Sequence, residues 1–527
     1  MDDQQKKMKV FDNPVLPGFY PDPSICRVED DYYLVTSSFV YYPGLPIFHS
    51  KDLVHWRQIG HVLDRPSQLN LDGLGQSKGI YAPTIRYHKG IFYVITTNVG
   101  GGGNFVVTAT EPGGPWSDPY WLSDAPGIDP SLFFDDDGKV YYTGTRPNPQ
   151  GERYYGDWEI WLQEFDPEKM ELVGAKYPLW KGALREAIWP EGPHLYKVNG
   201  FYYLMIAEGG TSHHHAVTIA RSTQVTGPYS GNPANPILTH RHLGVDYPIV
   251  NVGHGDLVQT GKGQWWLVVL ASRPCGGYFR NLGRETFLVP VRWEDGWPVV
   301  SPGLGKIAVS YPVPDLPEQI WRQPPVRDEF TAPDLDLAWN CLRTPREQFW
   351  SLTDRPGFLR LTLRPQVINR RENPSFLGRR QQHHSCLAAT RMEFKPEQAT
   401  EEAGLVCFQS DQYHYRFVRT RNGTEQVIRL IKNEAGREEI IKEIKYTAGI
   451  ICLQIIADGQ DYTFYYGPRE EELTLCAGPV DGRILSTDVA GGFTGVYFGL
   501  YASSNGTDSQ NYADFDWFEY KELKKGK

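Results

Sequence analysis

Three carboxylates occupy similar short settings along the chain: Tyr20-Pro21-Asp22-Pro23-Ser24, Ile128-Asp129-Pro130-Ser131 and Pro190-Glu191-Gly192-Pro193. Two further settings, Tyr81-Ala82-Pro83-Thr84 and Gly253-His254-Gly255-Asp256, carry a phenol and an imidazole. Carboxylates gathered in one cleft suit acid–base hydrolysis of a glycosidic bond. A protonated one donates to the leaving oxygen and an ionised one activates water; for inversion they stand roughly 6.5–9.5 Å apart. A third carboxylate beside the acid raises its pKa by like-charge repulsion and keeps it protonated at neutral pH. Taken singly, an Asp beside Pro is more simply a turn carboxylate. The decision rests on whether the fold brings these settings together.

Each setting lies roughly a dozen residues before an aromatic-rich strand. These strands are Tyr32-Tyr33-Leu34-Val35, Phe92-Tyr93-Val94-Ile95, Val140-Tyr141-Tyr142, Tyr202-Tyr203-Leu204 and Trp265-Trp266-Leu267-Val268. They recur at about 50 to 60 residues, a period that signals an array or propeller. Each interval holds enough chain for a four-stranded antiparallel sheet, and five such sheets placed radially make a five-bladed β-propeller. In the fourth repeat, Asn199-Gly200 between apolar runs predicts a type I′ hairpin with positive φ at both residues. The first strand of each blade lines a propeller's channel, so Asp22, Asp129, Glu191 and His254 are expected to converge on one axis. Proline beside the acids suits an innermost strand, which has one unpaired side. Equivalent placement in a repeat favours catalysis over the turn reading.

The predicted propeller occupies residues 9–308. A Pro-rich stretch at 309–325 reads as a linker. From 326 to 524 the repeat disappears, and strands such as Phe358-Leu359-Arg360-Leu361-Thr362-Leu363 and Gly495-Val496-Tyr497-Phe498-Gly499-Leu500-Tyr501 follow at the cadence of a β-sandwich. The expected fold class is therefore all-β. Across 527 residues the formal net charge is −10, which excludes the basic footprint of a nucleic-acid binder. No run is apolar enough to span a bilayer as a helix. The first nine residues lack the apolar core of a secretory leader, so a cytoplasmic location is expected. Seven cysteines, odd in number and without CxxC spacing, indicate neither a disulfide framework nor a zinc site. Aromatics at 13% suit β-structure and also carbohydrate binding, where flat rings cover apolar sugar faces.

The ordered motifs around Asp22, Asp129, Glu191 and His254, followed by Leu282-Gly283-Arg284-Glu285-Thr286, resemble glycoside hydrolase family 43. The likeness is to its two-domain β-xylosidase and α-L-arabinofuranosidase members, and extends to the sandwich opening Arg327-Asp328-Glu329-Phe330. It implies that the second domain is a concanavalin- or lectin-like jelly roll packed against the propeller mouth. It further implies Asp22 as general base, Asp129 as the residue tuning the acid, and Glu191 as general acid, acting with inversion. Arg284 and His254 are implied to contact the sugar, with Phe39, Tyr81 and Ile128 shaping its wall. Tyr81 and Ile128 depart from the family's usual Trp and Phe, which bears on the choice between xylopyranose and arabinofuranose. No cofactor is expected for the chemistry. His254 is a candidate to hold a channel ion, and Asp328 and Asp514 are candidates to share a structural calcium. The expected substrates are xylo-oligosaccharides or arabinoxylo-oligosaccharides, cleaved at a terminal β-D-xylosyl or α-L-arabinofuranosyl residue. A homo-oligomer is compatible with the sequence. The rival of another class is a non-catalytic carbohydrate-binding propeller, which needs no acid–base pair.

Three other motifs invite plainer readings. Gly100-Gly101-Gly102-Gly103-Asn104 lacks the Lys-Ser/Thr of a phosphate loop and reads as a flexible loop over the site. His213-His214-His215 cannot all face one ion, because strand neighbours alternate faces; at most His215 approaches the channel. Asp135-Asp136-Asp137-Gly138 lacks the later Glu of a calcium loop and reads as a solvated turn.

Overall fold

The computed structural model describes residues 9–524. Most of the segment read for a leader, residues 1–8, lies outside the described residues. The chain's regular secondary structure is nearly all β-strand. No helix among the described residues is long and apolar enough to cross a membrane.

Five antiparallel sheets form the blades of a propeller. Their first strands are Ser24–Val28, Thr84–His88, Ile128–Phe134, Glu191–Val198 and Val250–Gln259, and these pack against one another in a ring. The aromatic runs are the second strands, Asp31–Val35, Ile91–Val99, Val140–Pro147, Phe201–Glu208 and Trp265–Ser272. Their large rings fill the spaces between blades: Tyr142 and Trp161 lie 4.9 Å apart in a cluster joining blades two and three. The Asn199-Gly200 turn has φ of 49° and 80°, as a type I′ hairpin requires.

The ring closes through its N-terminal segment. Leu16 bridges Thr286 of blade five, and the Asn13 side chain bonds both the N–H and the carbonyl of Leu288. Val10–Asp12 pairs with Ser310–Pro312. The stretch from 309, expected to be a linker, therefore begins as a strand of the closure, with Tyr311 buried. Proline density signals extended chain, and an extended chain with a buried ring pairs as readily as it spans.

The second domain is a sandwich of two antiparallel sheets. One is built around Tyr512–Glu522 and Ser385–Glu393, the other around Tyr497–Ser503 and Glu402–Ser410. One hydrophobic cluster runs from Ile47, Val62 and Phe105 of the propeller to Leu405, Phe417 and Phe498 of the sandwich. Tyr41–Tyr42 of the first blade pairs with Cys341–Leu342 at the seam, and Tyr41 stacks on Tyr497 at 3.8 Å. The two domains therefore share a core.

Asp328 and Asp514 do not form a calcium site. Asp328 lies opposite Phe518 on the strand that carries Asp514, four residues and so about 13 Å away. The Asp514 carboxylate accepts from Arg360 and Arg355, while Asp328 accepts from Phe330 N and Trp339 Nε1. Arginine forks already neutralise the one carboxylate and a turn consumes the other. The Gly100–Gly103 run is likewise a hairpin turn in blade two, and none of its glycines lines the site. Asp135 is buried and ties blade three to blade four through Lys197 and Tyr202; Asp136 and Asp137 are exposed, as a turn requires.

Candidate active site

The side chains reach the propeller mouth because the first strands begin irregularly. Register shifts fall at Ile128/Ser131, at Glu191/His194 and twice between Val250 and Gly255. A bulge at the start of an inner strand re-aims a side chain that regular pleating would turn into a neighbouring blade. Asp22, Asp129 and His254 all adopt positive φ (55°, 54° and 46°), which costs a non-glycine residue energy that the packed surroundings must hold. Gly127 makes the Asp129 bulge feasible: a Cβ there would lie 1.7 Å from the Thr145 carbonyl oxygen.

Asp22, Asp129, Glu191, His254, Arg284, Phe39, Tyr81 and Ile128 together line a single cavity of about 230 Å³. It also takes in Trp158, Trp189, Thr211 and Phe493. Arg284 donates from Nη1 to Asp22 Oδ1 (2.8 Å) and from Nη2 to Oδ2 (3.3 Å), so its partner is Asp22 rather than Glu285 or Asp129. Ser37 donates to Asp22 Oδ2 at 2.5 Å. The Gly192 N–H donates to Asp129 Oδ2 at 3.1 Å. Glu191 keeps 18% of its side chain open to the cavity. Among the triple histidine, His215 alone enters this region: Nδ1 donates to the Asn251 carbonyl (3.0 Å), so Nε2 carries a lone pair 3.8 Å from Glu191 Oε1. Burial pushes His215 down to about 3, so it stays neutral and faces Glu191 only as an acceptor.

These surroundings divide the carboxylates. Burial opposes ionisation of Asp22, yet Arg284, His254 and the Ser37 hydroxyl together hold its pKa below the ordinary value. Asp129 is pushed up to about 6, chiefly by burial and further by the charge of Asp22, against the pull of His254 and Gly192 N–H. Glu191 rises well above its ordinary value through burial and then the charges of Asp129 and Asp22. The cavity thus sets an Asp22 held toward ionisation by a guanidinium against a Glu191 held toward its protonated form beside a bare imidazole nitrogen. One expected outcome is a bell-shaped pH profile of kcat/KM. With Asp22 as the base, ionised above a depressed pKa, activity persists on the acid side down to below the ordinary carboxylate value of 3.8. With Glu191 as the acid that must keep its proton, activity falls on the alkaline side at a pH well above the ordinary glutamate value of 4.5. Asp129→Asn removes one repelling charge, and the alkaline limb is expected to move to lower pH. A limb that stays fixed or moves upward would refute this tuning.

The sandwich completes the cavity. Phe493 reaches in from the loop after Thr487–Ala490, with its N–H bonded to Ser77 Oγ (2.9 Å). Its ring lies 5.9 Å from Phe39 and 6.2 Å from Tyr81, and Arg284 lies over both phenylalanines. At the seam Gly283 has φ +73°, and a Cβ there would lie 2.9 Å from Gly495 N; glycine lets the sandwich backbone approach next to Arg284. Phe493 has no counterpart in the repeat, so no periodic signal marks it. Trp189 stands directly ahead of the Pro190-Glu191-Gly192-Pro193 setting, two residues before Glu191.

One layer further along the first strands, Arg86 fills the channel. It donates to both oxygens of Asp256 (2.8 and 3.3 Å), and its Nη2 lies 3.0 Å from His194 Nδ1. Asp256 also accepts from Ser24, the Ile25 N–H and Tyr196. Four blades meet at this ion pair. The residues present do not fit a channel ion: the Asp22 carboxylate, 3.9 Å from His254 Nδ1, is committed to Arg284 and Ser37, and Arg86 already supplies the cation below. Among the described residues no cluster of three or more His, Cys, Asp or Glu is arranged to ligate a metal.

A cavity with one carboxylate held toward ionisation and another toward its protonated form, rimmed by aromatic rings, is the site of a glycoside hydrolase. Residues 11–298 match the family described as Glycosyl hydrolases family 43, and residues 327–521 match the Beta xylosidase C-terminal Concanavalin A-like domain. The protein belongs to glycosyl hydrolase family 43. It is 51% identical to a "Xylosidase/arabinosidase" of Butyrivibrio fibrisolvens, over 98% of this chain and all of that one. It is 44% identical to "Non-reducing end alpha-L-arabinofuranosidase BoGH43B" of Bacteroides ovatus, over 97% of this chain and 95% of that one. The solved structure described as "Bacteroides ovatus Xyloglucan PUL GH43B" superposes with a TM-score of 0.92 at 43% identity, covering 98% of this chain and 100% of that one.

Proposed function

We propose that this protein is an exo-acting, inverting glycosidase that removes terminal β-D-xylosyl residues from xylo-oligosaccharides and also accepts α-L-arabinofuranosyl residues. The observation that carries this reading is the convergence of Asp22, Asp129 and Glu191 on one cavity of about 230 Å³, below the usual size of a drug-ligand pocket, with the pKa of Asp22 pushed down and that of Glu191 pushed up. Such a cavity admits one terminal sugar. Phe39, Tyr81 and Phe493 cover its apolar face, and Arg284, fixed by Asp22, presents guanidinium N–H groups to its hydroxyls. Glu191 protonates the departing oxygen while Asp22 takes a proton from the attacking water. A binding-only propeller gains nothing from holding a buried glutamic acid protonated beside a buried aspartate. A mainly α-L-arabinofuranosidase activity is the second reading, favoured by the arabinofuranosidase name of the Bacteroides relative and by Tyr81 in the sugar wall.

The reading includes catalysis without a metal, since Arg86 and Arg284 supply the positive charge of the channel. It also includes a cytoplasmic location, where Cys26, Cys341, Cys386, Cys407, Cys452 and Cys476 persist as buried thiols. The test is a side-by-side assay on nitrophenyl β-xyloside and nitrophenyl α-arabinofuranoside, each with and without EDTA. Turnover of the xyloside, unchanged by EDTA, is expected, with slower turnover of the arabinofuranoside. Inactivity on both would overturn the assignment, and loss of activity on chelation would overturn its metal-free part.

A further inference from the structure

Tyr155 is the most exposed large aromatic among the described residues, at 74%, and it stands beside the active site. Its ring meets Trp189 nearly edge-on, 4.9 Å between centroids at 70°, and Trp189 forms the cavity wall together with Trp158. A single exposed ring on a loose loop would mean little. This loop is built. The fully buried Asp157 side chain accepts from Asn148 Nδ2 (3.0 Å), the Arg153 N–H (3.1 Å) and Arg153 Nε (2.8 Å). Tyr154 donates to the Ala187 carbonyl, Trp158 Nε1 to Glu152, and the Trp189 N–H to the Gly156 carbonyl (2.8 Å). Each neighbour of Tyr155 is tied down, and its own ring is left facing solvent.

Direction follows from the chemistry. The acid must face the leaving oxygen, so the leaving group lies along the wall next to Glu191. Trp189 is two residues from Glu191, and Tyr155 lies one ring further out from the cavity along that wall. We propose that Tyr155 is a substrate contact for the leaving group, covering the apolar face of the second sugar beyond the scissile bond of a xylo-oligosaccharide. The proposal rests on the glycosidase reading above and extends it to a preference for chain length.

The experiment compares initial rates on nitrophenyl β-xyloside, xylobiose and xylotriose for the parent, Tyr155→Ala and Tyr155→Phe. Xylotriose alone places a sugar at the proposed contact. Tyr155→Ala is expected to raise KM for xylotriose about fivefold with kcat unchanged, and to leave the two shorter substrates within about twofold. Tyr155→Phe keeps the ring face and is expected to behave as the parent. An unchanged KM for xylotriose, or an equal change on all three substrates through disturbance of Trp189, would overturn the contact while leaving the glycosidase reading standing. A parent inactive on all three substrates would overturn both.

Discussion

Glu191→Gln is expected to slow hydrolysis of xylobiose by about a thousandfold or more, while hydrolysis of nitrophenyl β-xyloside falls far less. The amide keeps the shape of the side chain, so pocket and fold are retained. It cannot deliver a proton. A sugar alkoxide cannot depart without one, whereas nitrophenolate departs largely unaided. Xylobiose should bind the variant as it binds the parent, measurable by calorimetry once turnover is gone. Equal losses on the two substrates would remove Glu191 from the role of acid.

Asp22→Asn is expected to cost about a thousandfold to ten-thousandfold on both substrates alike, because activation of water is needed whatever the leaving group. The ratio of the two rates therefore stays at the parent's value. The variant also leaves Arg284 facing a neutral amide in a buried site, so a lower Tm is expected with it. That loss of stability would not by itself separate one substrate from the other. If the rate ratio changed as it does for Glu191→Gln, the two roles would have to be exchanged.

The arrangement of blades was open to reading because each second strand is rich in large aromatics and each turn has its own chemistry, as at Asn199-Gly200. The positions of Asp22, Asp129 and Glu191 followed from the repeat. How their side chains reach the cavity did not, since the bulges at Ile128/Ser131 and Glu191/His194 depend on which backbone groups of the second strand remain free to pair. Phe493 stayed hidden for a different reason: a ring brought in from another domain carries no periodic mark, and only the packed seam at Gly283 and Gly495 places it. The family resemblance pointed to calcium at Asp514, but a carboxylate bound by two arginines and one bound by calcium look the same in a sequence. Arg86 and Asp256 lay within or just beside the motifs that were read, yet nothing in their types says that one neutralises the other inside a channel.

The ion pair of Arg86 and Asp256 stands across the channel one layer below the cavity. The cavity is therefore a blind well with one opening. In the proposed reaction the cleaved terminal sugar lies at its bottom, while the rest of the oligosaccharide sits in the mouth above it. Departure is consequently ordered: the shortened chain leaves first and the monosaccharide last. Free monosaccharide re-enters the same well and stands in the way of the next chain. The rate at which the surroundings consume the released sugar then governs how fast this hydrolase works, as much as the placement of its acid and base.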